Sequence, residues 1–108
     1  MDYQVIWSPE ALDDVDEIAA YIAKDSPFYA QSTVEQLIVA SRKLASLPLR
    51  GREVPELNDS EYRECFVQSY RLIYRVEEAK AKVSVAAVIH GRRCLESVER
   101  FNLDDDQR

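Results

Sequence analysis

Residues Ser69–Arg93, SYRLIYRVEEAKAKVSVAAVIHGRR, decide the fold. In Tyr70–Glu77, Tyr70, Leu72, Tyr74 and Val76 fall on one face and Arg71, Ile73, Arg75 and Glu77 on the other, the alternation of a half-buried strand. Lys82–His90 alternates in the same way and groups Val83, Val85, Ala87 and Ile89. Pairing Glu77 with Lys82 across the loop Glu78–Ala81 puts both apolar sets on one face and opposite charges at the hairpin end. That register leaves Arg71 and Arg75 on the opposite face, near a strand ending in His90, Arg92 and Arg93. Such a cluster of cations on a rigid sheet is expected to form a recognition surface.

Size limits what can be built around this hairpin. A chain of 108 residues with 46% apolar content is long enough for one core and too short for two ordinary domains. The expectation is one domain over residues 1–103 and an acidic tail over 104–108. No stretch approaches the roughly 20 apolar residues that cross a bilayer. Met1-Asp2-Tyr3 also lacks the basic start and apolar run of a signal peptide, so a cytoplasmic protein without a membrane partner is expected. Cys65 and Cys94 are too few for a disulfide scaffold, and no C-x-x-C or Cys/His cluster suggests zinc. Both read as ordinary thiols, with no metal or cofactor expected.

The net charge of −6 is unevenly spread. Residues 1–47 carry eight acids against three bases, residues 48–94 seven against nine, and residues 95–108 five against two. Nonspecific nucleic-acid binders are usually basic overall, because phosphate contacts with counterion release supply most of their affinity. Any nucleic-acid contact here would therefore be confined to the second half.

The first half reads as a strand and two helices. Tyr3–Trp7 is a short strand, and Ser8-Pro9-Glu10 supplies an N-cap, a proline at the first helical position and an acid in the first turn. Ala11, Val15, Ile18 and Ile22 make one apolar stripe, while Asp13, Asp14, Asp16 and Glu17 read as a solvated face. Ser26-Pro27 repeats the signature and opens a second helix, with Ala30, Val34, Leu37, Ile38, Leu44 and Leu47 inward and an end at Pro48. The short link predicts an antiparallel helical hairpin.

From Pro48 to Glu61 the chain shows no periodicity, and Pro48, Gly51, Pro55, Asn58 and Asp59 mark it as a loop. Tyr62–Val67 then forms a strand that returns through Gln68-Ser69, a weak turn signal, into the hairpin. After Arg93, Leu95, Val98 and Phe101 are spaced for a short terminal helix. The predicted fold is α+β: an N-terminal strand, a two-helix antiparallel hairpin, a three-stranded antiparallel meander completing a four-stranded sheet, and a short C-terminal helix. Helices preceding a meander suit a layer with one sheet face covered and the other partly open.

In this order and spacing the chain resembles the RelE/ParE superfamily of small bacterial toxins from type II toxin-antitoxin, or plasmid-stabilisation-like, systems. The resemblance rests on Trp7-Ser8-Pro9-Glu10-Ala11, the helical hairpin, Tyr70-Arg71-Leu72-Ile73-Tyr74-Arg75-Val76 and Ile89-His90-Gly91-Arg92-Arg93. It implies one of two activities, with a cognate antitoxin as partner in either case. RelE-like members cut mRNA in the ribosomal A site, using basic side chains on the open sheet face and usually a tyrosine near the C-terminus. ParE-like members bind and poison DNA gyrase without chemistry of their own.

Carried over by position, Arg71 matches the sheet arginine of the nucleases, Arg93 the basic residue after their last strand, and Arg63 one of their lysines. Those three would hold an RNA phosphate and stabilise its developing charge. Cys65 stands at the second lysine position, and the tyrosine position falls near Glu99. Arginine is a poor base at neutral pH, which leaves His90 to accept a 2′-hydroxyl proton, or Glu53 or Glu56 in a nuclease of another subtype. Beside these roles stand plainer ones. His90 reads as a hydrogen-bonding residue at a strand end. Arg71 and Arg75 read as partners of Glu61, Glu64 or Glu77, contributing about 0–1 kcal/mol each as exposed pairs.

The sequence favours the ParE-like reading, with Arg71, Arg75, His90, Arg92 and Arg93 as candidates for target or antitoxin contact and no catalytic residue. A RelE-like endonuclease using Arg63, Arg71, His90 and Arg93, with ribosome and mRNA as partners, is the alternative. The acidic pI of 4.8 departs from the basic character common in these toxins and motivates a third reading, a degenerate non-toxic member that still binds its antitoxin. Antitoxin docking is expected in the groove between helices and sheet, or on an exposed strand edge.

Overall fold

Two Ser-Pro pairs fix where the helices begin. In the computed structural model, which describes residues 2–92, Ser8 Oγ accepts the Ala11 N–H at 3.0 Å and Ser26 Oγ that of Tyr29 at 3.1 Å. Each cap satisfies an amide that the first turn leaves without a partner. The helices they open are α1 (Pro9–Ala23) and α2 (Pro27–Lys43). Ala11 and Val15 of α1 and Ala30 and Leu37 of α2 are buried. Leu47, expected inside, lies beyond the end of α2 and is 55% exposed.

The strands are β1 (Gln4–Trp7), β2 (Arg52–Glu53), β3 (Tyr62–Val67), β4 (Tyr70–Glu77) and β5 (Lys82–His90). They form a five-stranded mixed sheet in the order β1-β5-β4-β3-β2, with β1 parallel to β5 and the other pairs antiparallel. Among the described residues the expected four strands are therefore five. The additional strand, β2, lies inside the stretch read as a loop and is too short to show alternation. The expected terminal helix at Leu95, Val98 and Phe101, the tail 104–108, Arg93, Cys94 and Glu99 all lie outside the described residues.

The hairpin has the register read from its charges, Glu77 opposite Lys82. Its apolar faces do not run through as expected. Tyr74 pairs with Val85 but Ile73 with Ala87, so Ala86 is an extra residue on β5. A bulge of one residue reverses the facing of all that follows. Val83, Val85 and Val88 thus pack with Leu72, Tyr74 and Val76 under the helices, while Ala87 and Ile89 turn to the other side with Ile73. The bulge is held from the helix layer. Ser8 Oγ donates to the Ala86 carbonyl at 3.5 Å, and the Val88 N–H donates to Asp14 Oδ2 at 3.0 Å. The weak Gln68-Ser69 turn is likewise stabilised from outside: Gln68 adopts φ 55 and its side-chain oxygen accepts from Thr33 Oγ1 at 3.1 Å.

The second sheet face, expected to be partly open, carries a core of its own. Residues 48–61 cross it as a strap, and Val54 and Leu57 pack there on Ile73, Ala87 and Ile89. This placement controls everything that happens to the arginines.

Candidate functional site

The geometry starts from Glu64. On β3 it lies opposite Ile73 of β4, on the strap side, and its side chain is 0% exposed. A carboxylate taken out of water is tolerated only when it is paired and hydrogen-bonded. Arg71 Nε donates to its Oε1 at 2.7 Å and Arg52 Nε to its Oε2 at 2.7 Å. Arg71 also grips Glu56 of the strap through both terminal nitrogens, at 2.8 and 2.7 Å, a fork that matches the carboxylate. Two acids and two bases thus form a neutral cluster in which Arg71 is 4% exposed. The bond to Glu56 raises the Arg71 pKa, against the opposing effect of burial.

The strap is fastened at Gly51. Its N–H donates to the hydroxyl of Tyr74 at 2.8 Å, and its carbonyl accepts from Arg63 Nη1 at 2.7 Å. Burial pushes the Tyr74 hydroxyl up to about 12. It also raises the thiol of Cys65, which is free and half-buried. Arg63 Nε is buried with no hydrogen-bond partner among the described residues.

The sheet divides the candidate residues. Arg63 lies opposite Tyr74 on the helix side, whereas Arg71 lies opposite Phe66 on the strap side. Arg75 shares the strap side and pairs with Glu61 at 2.9 Å, its side chain 43% exposed. His90 lies opposite Tyr70 on the helix side, exposed at the end of β5. Its Nδ1 accepts the Arg92 N–H at 3.2 Å, and its ring meets Tyr70 edge-on at 5.7 Å. Arg71 is therefore neither exposed nor beside Arg63 and His90, and its pairing is buried, unlike the exposed pair expected. Among the described residues no group of His, Cys, Asp or Glu is placed to hold a metal ion.

Glu56, Gly51 and Asp14 were not marked by the sequence for the work they do. One signal was present: Val54 and Leu57 are apolar residues in a largely polar stretch of the loop, and they bracket Glu56.

A groove of about 470 Å³ runs between α2 and β3, with Val39, Ala40 and Lys43 on one wall, Cys65 and Val67 on the other, and Arg50 at its end. Val39 and Phe66 on its rim are 48% and 55% exposed. Lys43 and Arg50 outnumber the one acid in the lining, Glu35, in a chain of net charge −6. The groove is thus apolar at its base and locally positive.

Comparison with known proteins agrees with this architecture. Among solved structures, the chromosomal ParDE toxin-antitoxin system from P. aeruginosa superposes with a TM-score of 0.66 at 16% identity, covering 82% of this chain and 95% of that one. A mutant of E. coli toxin RelE in the free state gives 0.62 at 21% identity, covering 94% and 93%. The toxin-antitoxin complex RelBE2 from Mycobacterium tuberculosis gives 0.60 at 23% identity, covering 83% and 99%. These likenesses are of fold. No curated protein sequence matches the chain. The family model described as "ParE toxin of type II toxin-antitoxin system, parDE" matches residues 5–94, and the chain accordingly belongs to the ParE toxin family within the RelE/ParE superfamily.

Proposed function

We propose that this toxin acts by binding a host protein and cuts nothing itself, with DNA gyrase as the target the family implies, and that a cognate antitoxin neutralises it. The observation that carries this reading is the pinning of Arg71 between Glu56 and Glu64. To hold an RNA phosphate, Arg71 would have to exchange a buried, bidentate carboxylate for it. Arg63 and His90 stand across the sheet from Arg71, and the two carboxylates in contact with it on its own face, Glu56 and Glu64, are engaged as its ion-pair partners. The exposed His90 and Arg92 and the half-exposed Arg75 remain as contacts for a target surface.

The groove between α2 and β3 suits the antitoxin. An amphipathic helix would lay apolar residues on Val39, Ala40 and Val67 and turn carboxylates toward Lys43 and Arg50. Charge of this sign steers encounter and fixes register.

The test adds purified protein to a gyrase supercoiling reaction and, separately, to ribosomes stalled on a message. Gyrase-linked DNA breaks with intact message are expected. Message cut in phase with codons overturns the binding reading, and in that case Arg71→Ala and His90→Ala should each slow the cutting.

A further inference from the structure

The groove between α2 and β3 carries opposite charge at its two ends. Glu35 stands at one, with Ser32 and Gln36, where the bond from Thr33 to Gln68 ties α2 to the turn after β3. Lys43 and Arg50 stand at the other, where Gly51 is fastened to Tyr74. Glu35, Val39 and Lys43 follow at intervals of four and so form one ridge of α2, about 12 Å long. Between the ends, Val39, Ala40 and Val67 supply apolar surface.

The end charges are not neutralised within the described fold. Arg52, Arg71, Arg75, Lys80 and Lys82 each pair with a carboxylate, whereas among the described residues Glu35, Lys43 and Arg50 form no ion pair. Lys43 suits the negative end of α2, but Arg50 lies beyond the helix and has no such role. A helix laid along this ridge meets cations at one end and a carboxylate at the other. Within a helix, acids favour the N-terminal side and bases the C-terminal side. A partner helix that obeys this preference and matches both ends must run opposite to α2. Turned round, the same helix would set its acid on Glu35 and its base on Lys43 and Arg50.

We propose that the groove receives a helix of the antitoxin lying antiparallel to α2, with a carboxylate at Lys43 and Arg50, an apolar residue on Val39 and Ala40, and a basic residue at Glu35. The inference rests on the toxin reading above and adds the direction of the helix and the residue type at each end. Its sequence signature is an acid followed about seven or eight positions later by a base, with an apolar residue midway.

The test has two arms. In the first, the full chain is titrated with an alanine-based helical peptide of about 18 residues that carries Glu, Leu and Arg four apart in that order. A second peptide has Gln in place of Glu and Arg, and the Val39 and Val67 amide resonances are followed. Saturable shifts are expected, with the charged peptide binding about threefold or more tighter and Glu35→Gln with Lys43→Gln removing most of that difference. A nitroxide on the peptide N-terminus should broaden the Lys43 amide more than the Glu35 amide. No shift, equal binding, indifference to the two substitutions, or broadening that does not favour Lys43 overturns the proposal. In the second arm, the toxin is copurified with the product of the adjacent reading frame, carrying a photo-crosslinking amino acid at position 35 or at position 43. The partner residue linked from position 43 should precede the one linked from position 35 by about seven or eight positions. The reverse order overturns the direction, and linkage from neither position overturns the antitoxin as occupant. Finding no copurifying partner removes the toxin reading and that occupant together, while the peptide titration judges the groove alone.

Discussion

The Gly51 N–H donates to the Tyr74 hydroxyl at 2.8 Å, and this bond ties the strap on one face of the sheet to the core of the other. Gly51 has no room for a side chain. A Cβ would lie 2.5 Å from the Glu64 carbonyl oxygen and 2.6 Å from the Tyr74 hydroxyl. Neither group can retreat, since one is strand backbone and the other ends a fully buried ring. Gly51→Ala is expected to cost about 2–3 kcal/mol, as a steric change in a closed site does. Urea unfolding measures the loss, and limited proteolysis should cut within residues 48–61 sooner.

Tyr74→Phe keeps the ring and removes the acceptor. The buried Gly51 N–H is then unsatisfied, at about 1–3 kcal/mol. The substitution also alters alkaline stability. The hydroxyl is raised in the folded chain to about 12 from an ordinary value of 10.0. The unfolded chain therefore loses this proton first, and the stabilisation is complete below about pH 10 and lost as pH rises toward 12. Denaturation curves at pH 8 to 12 should show a steeper decline for the native chain than for Tyr74→Phe. Equal slopes would mean that this hydroxyl is not protected.

Arg71 and Arg75 should differ sharply despite being neighbours on one strand face. Arg71→Ala leaves Glu64 buried without one of its two cations and is expected to cost about 3–5 kcal/mol. Arg75→Ala removes an exposed pair and should cost no more than about 1 kcal/mol. Thermal or urea unfolding of both variants checks this ordering. Comparable losses would contradict the neutral cluster as the anchor of the strap.

Asp14 offers a test of how the bulge is held. Asp14→Ala removes the acceptor of the Val88 N–H, with a loss of about 1 kcal/mol expected, whereas Asp14→Asn keeps an oxygen there and should recover most of it. Hydrogen exchange at Val88 should accelerate in the first variant and stay near the native rate in the second.

The charge of the groove sets the rate at which an acidic partner arrives. Lys43→Glu is expected to slow association with the antitoxin about tenfold at low salt, with the gap closing as salt is added. Stopped-flow measurements across ionic strength give the comparison, and stability should fall by no more than about 1 kcal/mol, because Lys43 is exposed and its charge acts only on the last turn of α2.

Elements with a periodic or capping signal were legible in the chain. Ser8-Pro9 and Ser26-Pro27 marked both helix starts, and the opposed Glu77 and Lys82 set the hairpin register. The Ala86 bulge had no local mark, since no glycine or proline stands there and the bonds that hold it come from Ser8 and Asp14, far away in sequence. The strap was hidden for a related reason. Two residues of β2 cannot display alternation, and Val54 and Leu57 become core only because Ile73, Ala87 and Ile89 are turned toward them.

By itself, the sequence determined the helical hairpin, the meander and the membership that both support, because caps, charges and apolar spacing act within a few residues of one another. The fate of the arginines was decided only by tertiary structure. Alternation placed Arg71 on a sheet face but not under what, and the strap brings Glu56 to within hydrogen-bonding distance of it from 15 positions away. Burial is a property of what packs above a residue, so whether a cation stands ready for a ligand or neutralises a carboxylate is settled when the layers close.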